Sequence, residues 1–407
     1  MLRIFIFLLH LSLLSELHAR RGVWFTNVNS KIYDSKNNIE KALVIVKKLG
    51  FDTVYPVVWN KSKAFFKSKT IAELFGEEAL SSYDGRDILQ EFVELSEKHG
   101  LEVIPWFEYG LKVPYSMFEK GEEKILESAI SLEKREMLSR DEAGKVKGPC
   151  EFGVCKAFLN PANPQVKDFL TGVFQDLSSY NVVGVQIDDH FSLHKDFGYD
   201  DFMKKQYSVE YPDMEDKPDR GLEILNLNAA FDSINEWDSK PKTSNPSFKE
   251  WRHTQVASLV KSISATVRSK GKIFVIAPGG DNDFSKNKWQ QDWLGMSRQG
   301  AFDEIIVQVY RYSMSSFKAT LNHPSLREAK LHQPVGVAVL TGLKKNTNVT
   351  GEAILKQTIE AEKQGYPVSY FYYDSIVPKA MNKESQSQRI KSLVKARNLF
   401  KEKSRLH

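Results

Sequence analysis

Gln186-Ile187-Asp188-Asp189-His190 is the stretch of this chain best equipped for chemistry. Cleaving a glycosidic bond takes an acid to protonate the leaving oxygen and an anion to stabilise an oxocarbenium-like centre. Adjacent carboxylates at a strand end resist ionising together, which holds a proton into the working range of an acid. The pleat turns consecutive side chains to opposite sides, so one Asp is expected to face away from the substrate. A structural alternative has Asp188 capping a helix or pairing with a surface lysine. Position and doubling favour function, so Asp188 and Asp189 are the expected catalytic pair. His190, beside the two aspartates, is a metal ligand only with further help. No metal or other cofactor is expected.

Further candidates lie at the ends of other apolar runs. Gln308 and Tyr310 have alternate spacing and share one side of a strand, either binding substrate or packing a core. Glu108 follows two aromatic residues and either meets substrate or forms a salt bridge. Trp24, Trp59 and Trp106 are stacking platforms or core. Asn27, Asp281, Tyr373 and Asp374 complete the expected substrate-binding set. Carboxylates among aromatic rings suit sugars, whose apolar faces stack while their hydroxyls and protons are handled by acids.

Positioning these residues on one face requires a repeated architecture, and the chain carries one. An amphipathic helix, a glycine or asparagine, and a short apolar strand recur along it. The spacing predicts helices at Ile39–Lys48, Ile88–Lys98, Val166–Ser179, Trp251–Ser269, Trp289–Arg298 and Ile354–Lys363, with a weaker one before Gln333. Strands are predicted at Val23–Asn27, Thr53–Trp59, Val103–Glu108, Val183–Asp189, Ile273–Pro278, Ile305–Tyr310, Val335–Leu340 and Val368–Asp374. Strands reached through helices imply a parallel sheet, and this series points to an α/β fold, the (β/α)8 TIM barrel. An open doubly wound sheet fits less well, because the first turn lacks a phosphate-binding glycine fingerprint. Insertions at Lys61–Gly85, after strand two, and His190–Glu250, after strand four, emerge on the face where barrels place their sites.

The chain has 407 residues, 41% of them hydrophobic and 12% aromatic, enough for a large core. Its formal charge of +5 is spread along the chain, which argues against a nucleic-acid partner. Arg3, the apolar run Ile4–Leu14 and Leu17-His18-Ala19 describe a secretory signal over residues 1–19, with an uncleaved anchor as the alternative. The barrel is assigned to 20–385 and a basic helix packed on it to 386–407. An exported monomer, periplasmic or extracellular and without a later membrane span, is expected. In such a compartment Cys150 and Cys155 either staple a small loop or remain free thiols.

The sequence resembles the glycosyl-hydrolase-like family ten, a bacterial group that includes a divisome-localised peptidoglycan glycan hydrolase. The likeness runs from Arg21-Gly22-Val23-Trp24 to Tyr372-Tyr373-Asp374-Ser375. Its most telling pieces are Phe158-Leu159-Asn160-Pro161-Ala162-Asn163-Pro164 and Val183-Gly184-Val185-Gln186-Ile187-Asp188-Asp189-His190-Phe191. Trp251-Arg252, Gln291-Asp292-Trp293 and Val307-Gln308-Val309-Tyr310 add to them. The resemblance implies a TIM barrel, export, and activity on glycosidic bonds of a polysaccharide such as peptidoglycan stripped of its peptides. Retaining barrel enzymes carry glutamates at the ends of strands four and seven, and Val335–Leu340 offers none. An acidic pair on strand four with a Tyr on strand six looks like the enzymes in which the substrate's N-acetyl oxygen attacks. Asp189 is then the expected acid and Asp188 the orienter, with exchange of the two roles left open. The rival readings are a carbohydrate-binding barrel without catalysis and a metal-dependent polysaccharide deacetylase.

Overall fold

Short runs of β-branched and aromatic residues, each delivered by an amphipathic helix, close into a parallel barrel. The structure is a computed structural model that describes residues 20–60, 63–76, 83, 85–114, 137–146, 148–151, 154–212, 246–343, 349–376 and 386–403. The expected signal segment 1–19 lies outside the described residues, as do 213–245 of the insertion after strand four and parts of the one after strand two.

The barrel strands are, in order, Gly22–Phe25, Thr53–Asn60, Glu102–Val103 continued by Trp106–Phe107, Gly184–Asp188, Ile273–Ala277, Glu304–Val309, Val335–Leu340 and Val368–Phe371. Each pairs in parallel with the next. Val23 against Tyr370 joins the last to the first, so the sheet has no open edge along this path. Strands two, four and seven are buried along their whole length, as expected where helices cover the outside and side chains fill the lumen. Trp24 of strand one reaches across that lumen to donate its indole N–H to Gln186 Oε1 of strand four at 2.7 Å.

Helix starts follow capping chemistry. Asn163 caps Pro164–Ser178, with the proline at the helix start where its missing N–H costs nothing. Ser247 and Glu250 form a capping box on Phe248–Ser269. The glycine of the repeated phrase supplies a left-handed residue at Gly50 and Gly271, with φ of 85° and 69°.

The structure departs from the sequence-based expectation in three places. Strand three is followed by an excursion that the sequence pattern did not mark as an insertion. It carries a small antiparallel sheet of Lys112–Pro114, Cys150–Glu151 and Val154–Phe158. Cys150 and Cys155 face each other across it and form a disulfide. The helix expected at Trp289–Arg298 is two helices, Asn282–Trp289 and Trp293–Arg298. Between them Gln290 is left-handed, and its amide is tied to the carbonyls of His194 and Phe197. Strand eight stops at Phe371, and Tyr373–Ile376 form a single helical turn.

The C-terminal helix Gln386–Lys403 is held by Arg389, 1% exposed. Its guanidinium donates to the carbonyls of Thr341, Ser375 and Val349, at the ends of the last two barrel units. Arg389→Met strands these acceptors and is expected to cost about 3 kcal/mol of stability. Urea unfolding checks this, and an unchanged midpoint would mean that apolar contacts alone hold the helix. No helix among the described residues is long and apolar enough to cross a membrane.

Candidate active site

Strand four presents Gln186 and Asp188 on one side of its pleat, toward the lumen. The Asp188 side chain is only 3% exposed and its oxygens are taken up. Oδ2 accepts from the Trp106 indole N–H at 2.9 Å and lies 3.2 Å from His190 Nδ1. Oδ1 accepts from the His190 backbone N–H at 2.8 Å. Gln291 donates to the carbonyls of Asp188 and Phe191, pinning the turn that follows. Asp189, one residue on, is 40% exposed, so the pair divides into an enclosed and an open carboxylate. Gln308 of strand six donates to Asp189 Oδ1 at 2.7 Å and to the Ala277 carbonyl at 2.7 Å.

Charge distributes unevenly across this cluster. Burial works against a charged His190, but Asp189 and Asp188 outweigh it and push the imidazole up to about 9. Although Asp189 keeps an exposed edge, the protein packed around it opposes its charge; His190, Lys112 and the Gln308 hydrogen bond outweigh that and hold its carboxyl below the ordinary aspartate value. Glu108 goes the other way. Burial raises its carboxyl to about 8, His190 pulls against that, and Asp188 and Asp189 add repulsion. Asn60 at the end of strand two donates to Glu108 Oε2 at 2.6 Å. No hydrogen bond among the described residues engages Oε1. At neutral pH Glu108 therefore keeps its proton while Asp189 has lost its own.

The start of the excursion buttresses His190. Tyr109 adopts φ 60°, unusual for a non-glycine residue, and its ring stacks on the imidazole with centroids 4.5 Å apart. Lys156 of the small sheet lies 4.4 Å from the same ring. Gly110 is required next, because a Cβ there would fall 2.0 Å from the Phe191 ring. Sequence pattern alone missed Lys112, Lys156 and Trp106 as neighbours of the carboxylates. Only their place in a disulfide-bonded excursion and at the end of strand three brings them there.

The remaining candidates scatter. Trp24 and Trp59 are each 2% exposed. One is bound to Gln186 and stacks near Tyr55, and the other stacks on Phe107, so neither offers a free face to a sugar. The core reading of these tryptophans applies. Tyr310 packs on Phe371, and burial followed by Asp189, Asp188 and Glu108 raises its phenol well above 10, placing it beside the carboxylates. Asn27 is half-buried, with Oδ1 enclosed and unpartnered. Asp281 is exposed and caps the helix Asn282–Trp289 by accepting from the Phe284 N–H. Tyr373 stacks on Phe25 at 4.9 Å, with Asp374 beside it. Among the described residues, no hydrogen bond, ion pair or ring contact joins Asn27, Asp281 or Tyr373 to Glu108, Asp189 or His190.

Ligand atoms of Asp188, Asp189 and His190 lie within 4.8 Å of one another, close enough to share a cation. A metal there must displace the His190 proton and compete with the donors already on Asp188. The donor set fits a metal poorly.

Solved structures share the architecture. The glycoside hydrolase domain of PgaB (BpsB) from Bordetella bronchiseptica superposes with a TM-score of 0.57 at 11% identity, over 90% of this chain and 99% of that one. The catalytic domain of β-amylase from Paenibacillus polymyxa gives 0.56 at 11% identity, over 92% and 98%. Alpha-L-fucosidase isoenzyme 2 from Paenibacillus thiaminolyticus gives 0.57 at 12% identity, over 95% and 50%. At such identities these likenesses establish the barrel. No curated protein matches the chain. The family described as glycosyl hydrolase-like 10 matches residues 19–358, most of the length and all of the barrel strands before the eighth. With the family match spanning most of the chain and the closed barrel beside it, the chain belongs to the glycosyl hydrolase-like 10 family.

Proposed function

We propose that this protein is an exported glycoside hydrolase acting on a polysaccharide that contains N-acetylhexosamine, with Glu108 as its acid and Asp189 as its anion. The observation that carries this reading is the separation of two neighbouring carboxyls, one raised to about 8 and one held below its ordinary value. A protonated Glu108 gives its hydrogen to the leaving glycosidic oxygen, and Asp189 faces the positive charge that develops at the anomeric carbon. On an N-acetylated sugar the acetamide oxygen attacks the anomeric carbon as the glycosidic bond breaks. Ionised Asp189 accepts from the acetamide N–H, the Tyr310 hydroxyl donates to the acetamide oxygen, and water then opens the cyclic intermediate as its proton passes to Glu108. Asp188 is a positioning residue, since its oxygens are occupied by Trp106 and His190. Glu108 thus takes the acid's role that the sequence pattern gave to Asp189. A disulfide in the excursion and the signal-like first residues support export.

Incubating the full mature chain with peptide-free peptidoglycan glycan strands, and resolving products by mass, tests the reading. New reducing ends are expected, with EDTA leaving the rate unchanged. Binding of strands without any new reducing ends would favour a non-catalytic carbohydrate-binding barrel. Loss of acetyl groups that EDTA abolishes would favour a metal-dependent deacetylase.

A further inference from the structure

Trp289 ends the helix in the loop after strand five, and side chains from two neighbouring loops gather on its indole. Lys112, in the excursion after strand three, places Nζ 3.7 Å from the ring centroid. His194, in the loop after strand four, meets the ring edge-on with centroids 5.0 Å apart. Lys288 sets its Nζ 5.6 Å from Trp289 and 5.3 Å from Phe284. Phe284 is 54% exposed, Trp289 is partly buried, and Lys288 is exposed. Lys288 forms no ion pair among the described residues; its near neighbours are the two rings.

Positive charge converges here. Burial is the main reason His194 stays neutral; Asp196 opposes it, and Lys195, Lys288 and Lys112 act in the same direction as burial. Lys112 also bears on Asp189, so the patch adjoins the cleft rather than standing apart from it. Indole and phenyl faces stack on the apolar faces of sugar rings, and ammonium groups beside them suit a carboxylate.

We propose that exposed Phe284 and Lys288, backed by the edge of the Lys112-covered Trp289 indole, form a subsite for a sugar that carries a carboxylate, with Phe284 as its stacking platform and Lys288 as its cationic contact. This rests on the reading of the adjoining cleft as a glycan site. It makes the preferred polymer an acidic glycan, whether the carboxylate sits on an ether side chain or on the sugar ring.

Calorimetric affinities on the full chain test it, in a Glu108→Gln background so that strands survive the titration. The probes are peptide-free peptidoglycan glycan strands, which bear lactyl carboxylates, and the same strands with those carboxyls reduced to alcohols. The intact strands are expected to bind about tenfold more tightly, the scale of one charge-assisted hydrogen bond. Adding Lys288→Gln is expected to remove most of that preference while leaving the affinity for reduced strands unchanged. A polyuronate and its carboxyl-reduced form repeat the comparison for a ring carboxylate, and a preference in either series supports the subsite. Equal affinities within both series, or a preference untouched by Lys288→Gln, would overturn it. Failure of the wild-type chain to cut any glycan would sink the hydrolase reading and leave this binding comparison intact.

Discussion

Glu108→Gln is expected to lower kcat on glycan strands by about 10²–10⁴-fold, the usual contribution of a positioned general acid. The amide keeps the shape of the side chain and its contact with Asn60, so the substrate is still bound and KM changes little. Stability should move in the opposite direction. An unfolded chain ionises this carboxyl near its ordinary 4.5, whereas the folded one retains the proton up to about 8. Across that window the native state holds a proton that the unfolded state has released. Folding stability is therefore lost as pH rises from the first value to the second. Removing the group abolishes the loss, so at neutral pH the variant is expected to be more stable by on the order of 1–3 kcal/mol. Collapsed activity in a protein of raised melting temperature would separate chemistry from misfolding. A variant that is inactive and also less stable would point to a structural role for Glu108.

Asp189→Asn is expected to cost about 10²–10³-fold in kcat, the scale of one preorganised electrostatic contact to the transition state. The side chain is 40% exposed and makes one hydrogen bond to another side chain, with Gln308, so the barrel should fold unchanged. A second readout needs no substrate. Asp189 is the largest influence raising His190 to about 9, so its loss should bring the imidazole down, visible by NMR titration. Full activity together with an unmoved His190 would remove Asp189 from the site.

The barrel was legible because its signal is local and repeated: helical spacing, a left-handed residue, then a β-branched strand, as at Ile39 through Trp59. Strand four was equally open to reading, since doubled acids at a strand end are rare among apolar runs. The roles within the site were harder to see. Nothing in Asp188-Asp189 says which acid turns inward, and the answer depends on Trp106 arriving from another strand at 2.9 Å. Glu108 stood evenly between substrate contact and a salt bridge, and nothing marked it as the acid, because its raised pKa comes from burial, and burial is set by distant packing. Lys112 and Lys156 lie in a segment with no periodic signal, held by a disulfide whose formation the spacing alone left open. Asp281 was expected to meet substrate from its place at a strand end, and in the structure one of its oxygens caps the helix Asn282–Trp289.

Catalysis in this cleft depends on a proton resident on Glu108 at neutral pH. Carbon-13 NMR of the chain labelled at glutamate carboxyls, with Glu108→Gln to assign the resonance, measures this directly. A Glu108 carboxyl signal that titrates at about 8 is the expected result. Titration near the ordinary glutamate value of 4.5 would contradict the account and leave the cleft without its acid.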